Sequence, residues 1–191
     1  METIIKQIKD PELRSQIEKV VPFHGFLTTG ALIGIQMFNI ARRVLDVQEG
    51  ERIYVTCETK SCMPDPFQIL AGATVGNNRL KIKDLGKMAV IVNKQAPEGA
   101  KNLSGVRILL DPEKTKDYPK FHAWYMNLEK LPHEEVVPIL LEAGEKVYSW
   151  KLVDIEVPVR KKKRVQTCQK CGEPFVQHDK ELLCGGCTEK L

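Results

Sequence analysis

Four cysteines near the C-terminus carry the clearest chemical signal in the sequence. They form two Cys-x-x-Cys pairs, Cys168 with Cys171 and Cys184 with Cys187, separated by twelve residues. A two-residue gap lets both thiolates of a pair reach one ion, and two such pairs complete a tetrahedral shell around Zn²⁺. Because four thiolates leave no coordination position open, the spacing predicts a structural zinc ribbon rather than disulfides or a catalytic metal.

A second set of reactive residue types lies in the first half of the chain. His24 precedes an apolar segment, and Glu58, Cys62 and Asp65 lie close together between a predicted strand and the next helix. Unpaired N–H groups at a helix N-terminus favour a thiolate, so Cys62 is the candidate for a reactive or metal-ligating thiol. Alternative interpretations are that Asp65 is only a helix N-cap and His24 only a hydrogen-bonded loop residue. Cys57, inside the strand, is expected to be a small buried apolar side chain.

The positive charge of the chain is confined to one short run. The net charge is +4, yet Arg160 to Arg164 alone contribute +5, residues 165–191 carry −1 and residues 1–159 are neutral. The run is expected to be a solvated linker, with a phosphate-contacting arm for nucleic acid as the alternative. In that alternative the ribbon would add contacts from Phe175, Lys170, Lys180 and His178.

Composition describes an ordinary globular chain, with 42% hydrophobic and 28% charged residues among 191. The N-terminus lacks the apolar region of a signal peptide, and the apolar stretch 30–41 is too short to span a bilayer. Cysteines used as metal thiolates indicate a reducing compartment, so we expect a cytoplasmic protein.

Hydrophobic periodicity and turn residues predict an α+β domain with a mixed sheet covered by helices. Helices are predicted over 11–20, 30–45, 64–71, 118–124 and 128–143, and strands over 52–58, 79–83, 88–93, 106–110 and 148–159. Pro22 is expected to end the first helix. His122 and His133 show no evident partners, and Tyr118, Trp124 and Tyr125 are expected to pack in the domain. The predicted organisation is a core domain over 1–159, a basic linker over 160–164 and a zinc ribbon over 165–191.

An ordered series of motifs resembles the FmdE family, named for the FmdE subunit of formylmethanofuran dehydrogenase. The motifs are His24-Gly25-x-x-x-x-Gly30, Glu58-Thr59-x-x-Cys62-x-x-Asp65, Gly72-x-Thr74-x-Gly76-Asn77 and Asp84-x-Gly86-Lys87-Met88. The likeness covers roughly residues 15–95 and the C-terminal ribbon. It implies an α+β core similar to the catalytic domain of glyceraldehyde-3-phosphate dehydrogenase, an archaeal or anaerobic setting and a homodimer.

The chain departs from the family pattern at a possible metal site. Phe26, Thr28, Thr29 and Ala73 stand where the family typically has histidine, cysteine, proline and cysteine. What remains of such a site is His24 and Cys62, with Asp65 or Glu58. These ligands could bind Zn²⁺ with an open position, or they could form a polar pocket without a metal.

The resemblance therefore predicts a zinc-binding accessory or interaction protein whose ribbon recruits a protein partner. Nothing in the sequence resembles a molybdopterin, tungsten or iron–sulfur site, so the redox chemistry of the dehydrogenase is not expected in this chain. One alternative is a small metal- or thiolate-dependent enzyme that uses His24, Cys62 and Asp65. Another is a nucleic-acid-binding regulator that uses the ribbon and the basic linker.

Overall fold

A computed structural model describes residues 2–158, 164–177 and 181–188, which belong to two units, Met1–Val157 and Pro158–Leu191. The helices of the larger unit are α1 (Glu2–Gln7), α2 (Pro11–His24), α3 (Thr29–Val44), α4 (Pro64–Ala71), α5 (Pro112–Thr115), α6 (Pro119–Tyr125) and α7 (His133–Ala143). Its strands are β1 (Ile53–Cys57), β2 (Leu80–Ile82), β3 (Ala89–Lys94), β4 (Asn102–Leu110) and β5 (Tyr148–Glu156). No helix in the described ranges is both long and apolar enough to cross a membrane.

Helix α3 occupies the centre of the larger unit because it is apolar on nearly every side. Most of its residues are buried, from Thr29 at its start to Ala41 in its last turns. Thr28 caps it, since the Thr28 hydroxyl oxygen accepts a hydrogen bond of 3.1 Å from the backbone N–H of Ala31. Gly34 lets α4 approach closely: a Cβ atom at Gly34 would lie 2.5 Å from the carbonyl oxygen of Met63.

The five strands form one mixed sheet in the order β2-β1-β3-β4-β5. β1 pairs with β2 in parallel, and the other neighbours are antiparallel. The side chains of Val55, Val92, Val106 and other alternate residues enter the core beside α3. The prediction of an α+β fold with a mixed sheet and helices is thus confirmed.

The other side of the sheet, here called the second face, keeps contact with solvent. On this face, one row of directly paired residues crosses all five strands, and each of its side chains is at least partly exposed. The row consists of Lys81, Thr56, Ile91, Arg107 and Lys151. A sheet with one covered face and one exposed face explains the alternation of apolar and polar residues in these strands.

An ion pair is largely buried on the second face. Glu58 is only 5% exposed, and its two carboxylate oxygens accept hydrogen bonds of 2.7 and 2.6 Å from Nε and Nη2 of Arg107. These hydrogen bonds lower the pKa of Glu58 and raise that of Arg107, although burial acts against both shifts. The pair joins the end of β1 to β4.

Several element ends differ from the sequence expectations. Helix α2 continues through Pro22 to His24 and ends at Gly25, whose φ of 100° interrupts the helix. Pro22 is tolerated because a proline removes one backbone hydrogen bond near the end of the helix, where few turns follow. The helix expected over 128–143 begins only at His133, and β5 ends at Glu156.

The smaller unit contains a two-stranded antiparallel hairpin and one short helical turn. Strand β6 (Arg164–Thr167) pairs with β7 (Pro174–Gln177), and α8 covers Gly185–Thr188. Arg164, expected at the end of a linker, is the first residue of β6. The rest of the predicted basic linker, residues 160–163, lies outside the described residues.

The close approach of α3 and α4 makes Gly34→Ala a destabilising substitution. The added methyl group would collide with the Met63 carbonyl and with Pro66. We expect the free energy of unfolding to fall by about 1–3 kcal/mol, despite the helix propensity that alanine adds. Urea denaturation measures this change, with Gly76→Ala as the control because a Cβ there meets only one atom, at 3.9 Å. Equal stability of the two variants would contradict the packing.

The Glu58–Arg107 pair should make stability depend on acid. The pKa of Glu58 is lower in the folded protein than its ordinary value of 4.5. The pair therefore stabilises the protein above that pH, and this stabilisation is lost as pH falls through the folded pKa. We expect Glu58→Gln to lower the free energy of unfolding at pH 7 by about 1–3 kcal/mol and to flatten its decline below pH of about 4.5.

Thermal unfolding of Glu58→Gln over a pH series tests this expectation. Glu113→Gln is the matched control, because Glu113 forms an ion pair with Lys116 while its side chain is 76% exposed. If Glu58→Gln and Glu113→Gln lose stability with acid in the same way as the parent protein, the Glu58 pair contributes nothing to the acid dependence.

Candidate functional site

The four C-terminal cysteines converge on one point in the smaller unit. Their sulfur atoms all lie within 4.8 Å of one another, and the Sγ atoms of Cys171 and Cys184 are 3.8 Å apart. A tetrahedral ion with metal–sulfur bonds of about 2.3 Å requires sulfur–sulfur distances of about 3.8 Å. The cluster can therefore hold a metal ion.

Local backbone structure places each pair of sulfurs. Cys168 directly follows β6, and Gly172, with φ of 76°, donates its N–H to the carbonyl of Cys168 at 3.0 Å. The second pair begins one residue before α8, where the N–H of Cys184 donates to Cys168 Sγ at 3.3 Å. That hydrogen bond links the two Cys-x-x-Cys knuckles to each other.

The electrostatics of the cluster favour a cation at its centre. Backbone N–H groups, that of Cys171 first and that of Cys184 second, lower the pKa of Cys168 to about 6. The neighbouring sulfur of Cys184 is the main reason that the pKa of Cys187 rises to about 12. Four sulfurs this close cannot all be thiolates without a positive charge between them, because like charges oppose ionisation.

His24 and Asp65 form a direct pair next to the start of α3. His24 Nδ1 lies 2.6 Å from Asp65 Oδ2, and His24 Nε2 lies 3.2 Å from Thr28 Oγ1. The interpretation of Asp65 as an N-cap is wrong: Met63 is the N-cap residue of α4, without a capping side-chain bond, and Asp65 lies inside the first turn. Both ring nitrogens of His24 thus have partners within the chain.

The other residues proposed for a second metal site are placed differently. Cys62 packs against the start of α3, where a Cβ at Gly30 would lie 3.0 Å from Cys62 Cβ. Glu58 is held by Arg107 rather than by His24 or Asp65. Among residues 2–158, 164–177 and 181–188, one group of three or more potential metal ligands has its ligand atoms close together. That group is the C-terminal cysteine cluster. Cys57 is buried, and burial raises its pKa to about 12.

Two histidines without evident partners in the sequence have partners in the structure. His133 Nδ1 lies 2.9 Å from Thr29 Oγ1, and His122 Nδ1 lies 2.8 Å from Thr115 Oγ1. The Phe26 ring lies between His24 and His133, with ring centroids 6.1 Å from each. Thr29 and His133 are 104 residues apart, and no local pattern indicates such a contact.

A groove of about 440 Å³ lies beside the Glu58–Arg107 pair. Its lining includes Arg107, the motif residues Thr59 and Gly86 to Met88, and the aromatic residues Trp124 and Tyr125. The Trp124 ring also stacks on that of Phe121, with ring centroids 5.9 Å apart. Trp124 therefore packs in the domain, as expected, and also lines the groove. Arg107 was not identified from the sequence. The sequence feature that could have indicated Arg107 is its position as a single cation inside the apolar run Val-Arg-Ile-Leu-Leu of β4.

The groove carries positive charge. Glu58 neutralises Arg107, but Lys87 forms no salt bridge within the described part of the chain. After the hydrogen bonds from Arg107, the charges of Lys87 and Lys83 also lower the pKa of Glu58. His178 and Lys180, proposed as ribbon contacts, lie outside the described residues.

Two known proteins are similar to this chain. A crystal structure of a tungsten formylmethanofuran dehydrogenase FmdE-like protein from Syntrophus aciditrophicus is 28% identical, with a TM-score of 0.75 over 92% of this chain and 91% of that chain. The probable S-adenosyl-L-methionine-binding protein of Archaeoglobus fulgidus is 28% identical over 87% of this chain and 50% of its own length. The chain thus spans about half the length of that curated relative.

The family model described as FmdE, molybdenum formylmethanofuran dehydrogenase operon, matches residues 23–155. This range extends from the end of α2 to β5 and contains the helix, the sheet and the groove described above. The chain belongs to the FmdE family.

Proposed function

We propose that this chain is a zinc-binding accessory or interaction protein related to the FmdE subunit of formylmethanofuran dehydrogenase, without the redox chemistry of that enzyme. The observation that supports this proposal most directly is the converging cluster of four sulfur atoms, which has the spacing of a closed tetrahedral site. A closed site stabilises a fold and offers no position to a substrate.

Zinc fits this donor set for two reasons. Four cysteine thiolates in a tetrahedral arrangement suit Zn²⁺, whereas Mg²⁺ and Ca²⁺ prefer oxygen ligands. The smaller unit also has little core of its own, since Cys168 is its one buried residue among those described. Metal binding would supply the folding free energy that hydrophobic burial does not provide.

The exposed apolar residues of the hairpin support a role in protein contacts. Val165 and Val176 face each other across β6 and β7, and they are 67% and 38% exposed. We propose that the hairpin docks a protein partner. The homodimer implied by the family resemblance is proposed for the larger unit, where Phe23 and Phe26 are 52% and 56% exposed.

Ligand binding by the groove is a second candidate function. The Archaeoglobus relative is named as a probable S-adenosyl-L-methionine-binding protein, and we propose the same ligand for this chain. The favouring observation is the groove itself: its volume suits a nucleoside-sized ligand, and Trp124 and Tyr125 offer aromatic surface to a planar base.

Neither alternative from the sequence gains a comparable observation. For an enzyme based on His24, Cys62 and Asp65, both nitrogens of His24 are engaged by Asp65 and Thr28. For a nucleic-acid-binding regulator, the basic residues 160–163 lie outside the described structure.

Metal analysis of the full-length protein tests the accessory role. We expect one zinc and no molybdenum or tungsten per chain, and X-ray absorption should show four sulfur neighbours at about 2.3 Å. A Cys171→Ser/Cys184→Ser variant should lose the zinc, because two of its four ligands are gone. His24→Ala is the control and should keep it. A zinc ion that is lost from His24→Ala and retained in the double variant would overturn the assignment.

Fluorescence titration tests the proposed ligand. In a Trp150→Phe background Trp124 is the only tryptophan, so binding in the groove should change its emission. We expect S-adenosyl-L-methionine to change that emission saturably, and Trp124→Leu to weaken binding by about tenfold in calorimetry. Saturable binding in calorimetry with no response from Trp124 would place the ligand elsewhere.

A further inference from the structure

We propose that the groove selects ligands that carry an anionic group, and that Lys87 binds this group while the aromatic wall binds a planar ring. The ligand class is a nucleoside-sized molecule with a carboxylate or a phosphate. This inference rests on the proposal that the groove binds a ligand and identifies the residue that determines which ligand.

The backbone around Lys87 is anchored to the carbonyl of Glu58. Leu85 and Lys87 donate their N–H groups to that one oxygen at 2.9 and 3.1 Å. Gly86, with φ of 64°, makes the turn between them in the left-handed region that favours glycine. A flexible side chain is therefore carried on a backbone that is fixed relative to the groove.

The charge of Lys87 is not paired in a salt bridge with the carboxylates of Asp84 or Glu58. Asp84, three residues earlier, directs its carboxylate to Lys60 at 3.1 Å. Glu58 directs both of its oxygens to Arg107. The carboxylates of Asp84 and Glu58 thus already have cationic partners, whereas Lys87 forms no salt bridge in the ranges that the structure describes. An ammonium group in this position attracts an anion from solvent.

Arg107 adds direction to that attraction. Its bonds to Glu58 use Nε–H and one N–H of Nη2, which leaves both N–H groups of Nη1 and one of Nη2 as donors for a ligand, and Arg107 lines the groove. A planar guanidinium held on one edge presents its remaining N–H groups in a fixed direction, which suits carboxylate and phosphate oxygens. Glu58 is then a positioning residue for Arg107.

The aromatic wall is also held in place. The hydroxyl of Tyr125 donates to the carbonyl of Leu110 at 3.1 Å, and Phe121 supports Trp124 by stacking. A base that stacks on such a ring gains about 1–3 kcal/mol without regard to its charge. The ring and the anionic group of a ligand are thus recognised by different residues, whose contributions can be measured separately.

Three probes and two variants test this division in the zinc-loaded full chain. S-adenosyl-L-methionine carries adenosine and a carboxylate together with an ammonium and a sulfonium cation, adenosine monophosphate carries adenosine and a phosphate, and 5′-methylthioadenosine carries neither anion nor cation. Lys87→Met removes the proposed anion contact. Lys81→Met is the matched control, because Lys81 is an exposed lysine on the same sheet face but does not line the groove.

We expect Lys87→Met to weaken binding of both probes that carry an anionic group by about tenfold or more and to leave binding of 5′-methylthioadenosine unchanged. Lys81→Met should bind all three probes as the parent protein does. Equal melting temperatures of Lys87→Met, Lys81→Met and the parent protein will show that neither substitution disturbs folding.

The remaining outcomes separate this inference from the proposed ligand. If adenosine monophosphate binds through Lys87 while S-adenosyl-L-methionine does not bind, the anion site stands and the proposed ligand is wrong. If S-adenosyl-L-methionine binds equally well to Lys87→Met, the ligand stands and the anion site is overturned. Equal losses in Lys87→Met and Lys81→Met would also overturn the site, and failure of all three probes to bind would overturn both proposals.

Discussion

The burial of α3 is the constraint on which the larger unit depends. A helix that is apolar on nearly every side is stable only when other elements enclose it. The covered face of the sheet supplies one wall, and α2, α4 and α7 supply others. Gly30 and Gly34 allow the segment around Cys62 and Met63 to approach the helix, and this approach brings α4 and Asp65 towards the end of α2. His24 meets Asp65 as a consequence of enclosing α3.

The two units are stabilised by different physics. The larger unit has a continuous hydrophobic core, which extends from Ile8 to Tyr148. The smaller unit has a short hairpin, a single helical turn and four converging sulfurs. In the larger unit apolar burial offsets the entropy of ordering the chain; in the smaller unit metal ligation would have to do so. This difference explains why the cysteine cluster and the groove call for separate functional interpretations.

The motifs that resemble the FmdE family acquire distinct roles in the structure. Glu58 and the turn at Gly86 and Lys87 meet at the end of β1, where the Glu58 carbonyl holds the turn and its carboxylate holds Arg107. His24 and Asp65 form a separate pair beside α3. The sequence grouped His24 and Cys62 with Asp65 or Glu58 as one possible metal site. In the structure Glu58 pairs with Arg107 beside the groove, whereas His24 pairs with Asp65 next to the start of α3.

The sequence by itself determined the features that depend on short spacings: the two Cys-x-x-Cys pairs, the apolar helix over 30–45, and the strand alternation that requires one covered face. These are encoded within a few residues, because metal ligation and hydrophobic periodicity act over that distance. Tertiary structure alone decided that Glu58 pairs with Arg107, 49 residues away, that Thr29 meets His133, and that Trp124 faces a cationic groove. Such contacts follow from how α3 is enclosed and how the strands are ordered, and a single sequence carries no local pattern for either.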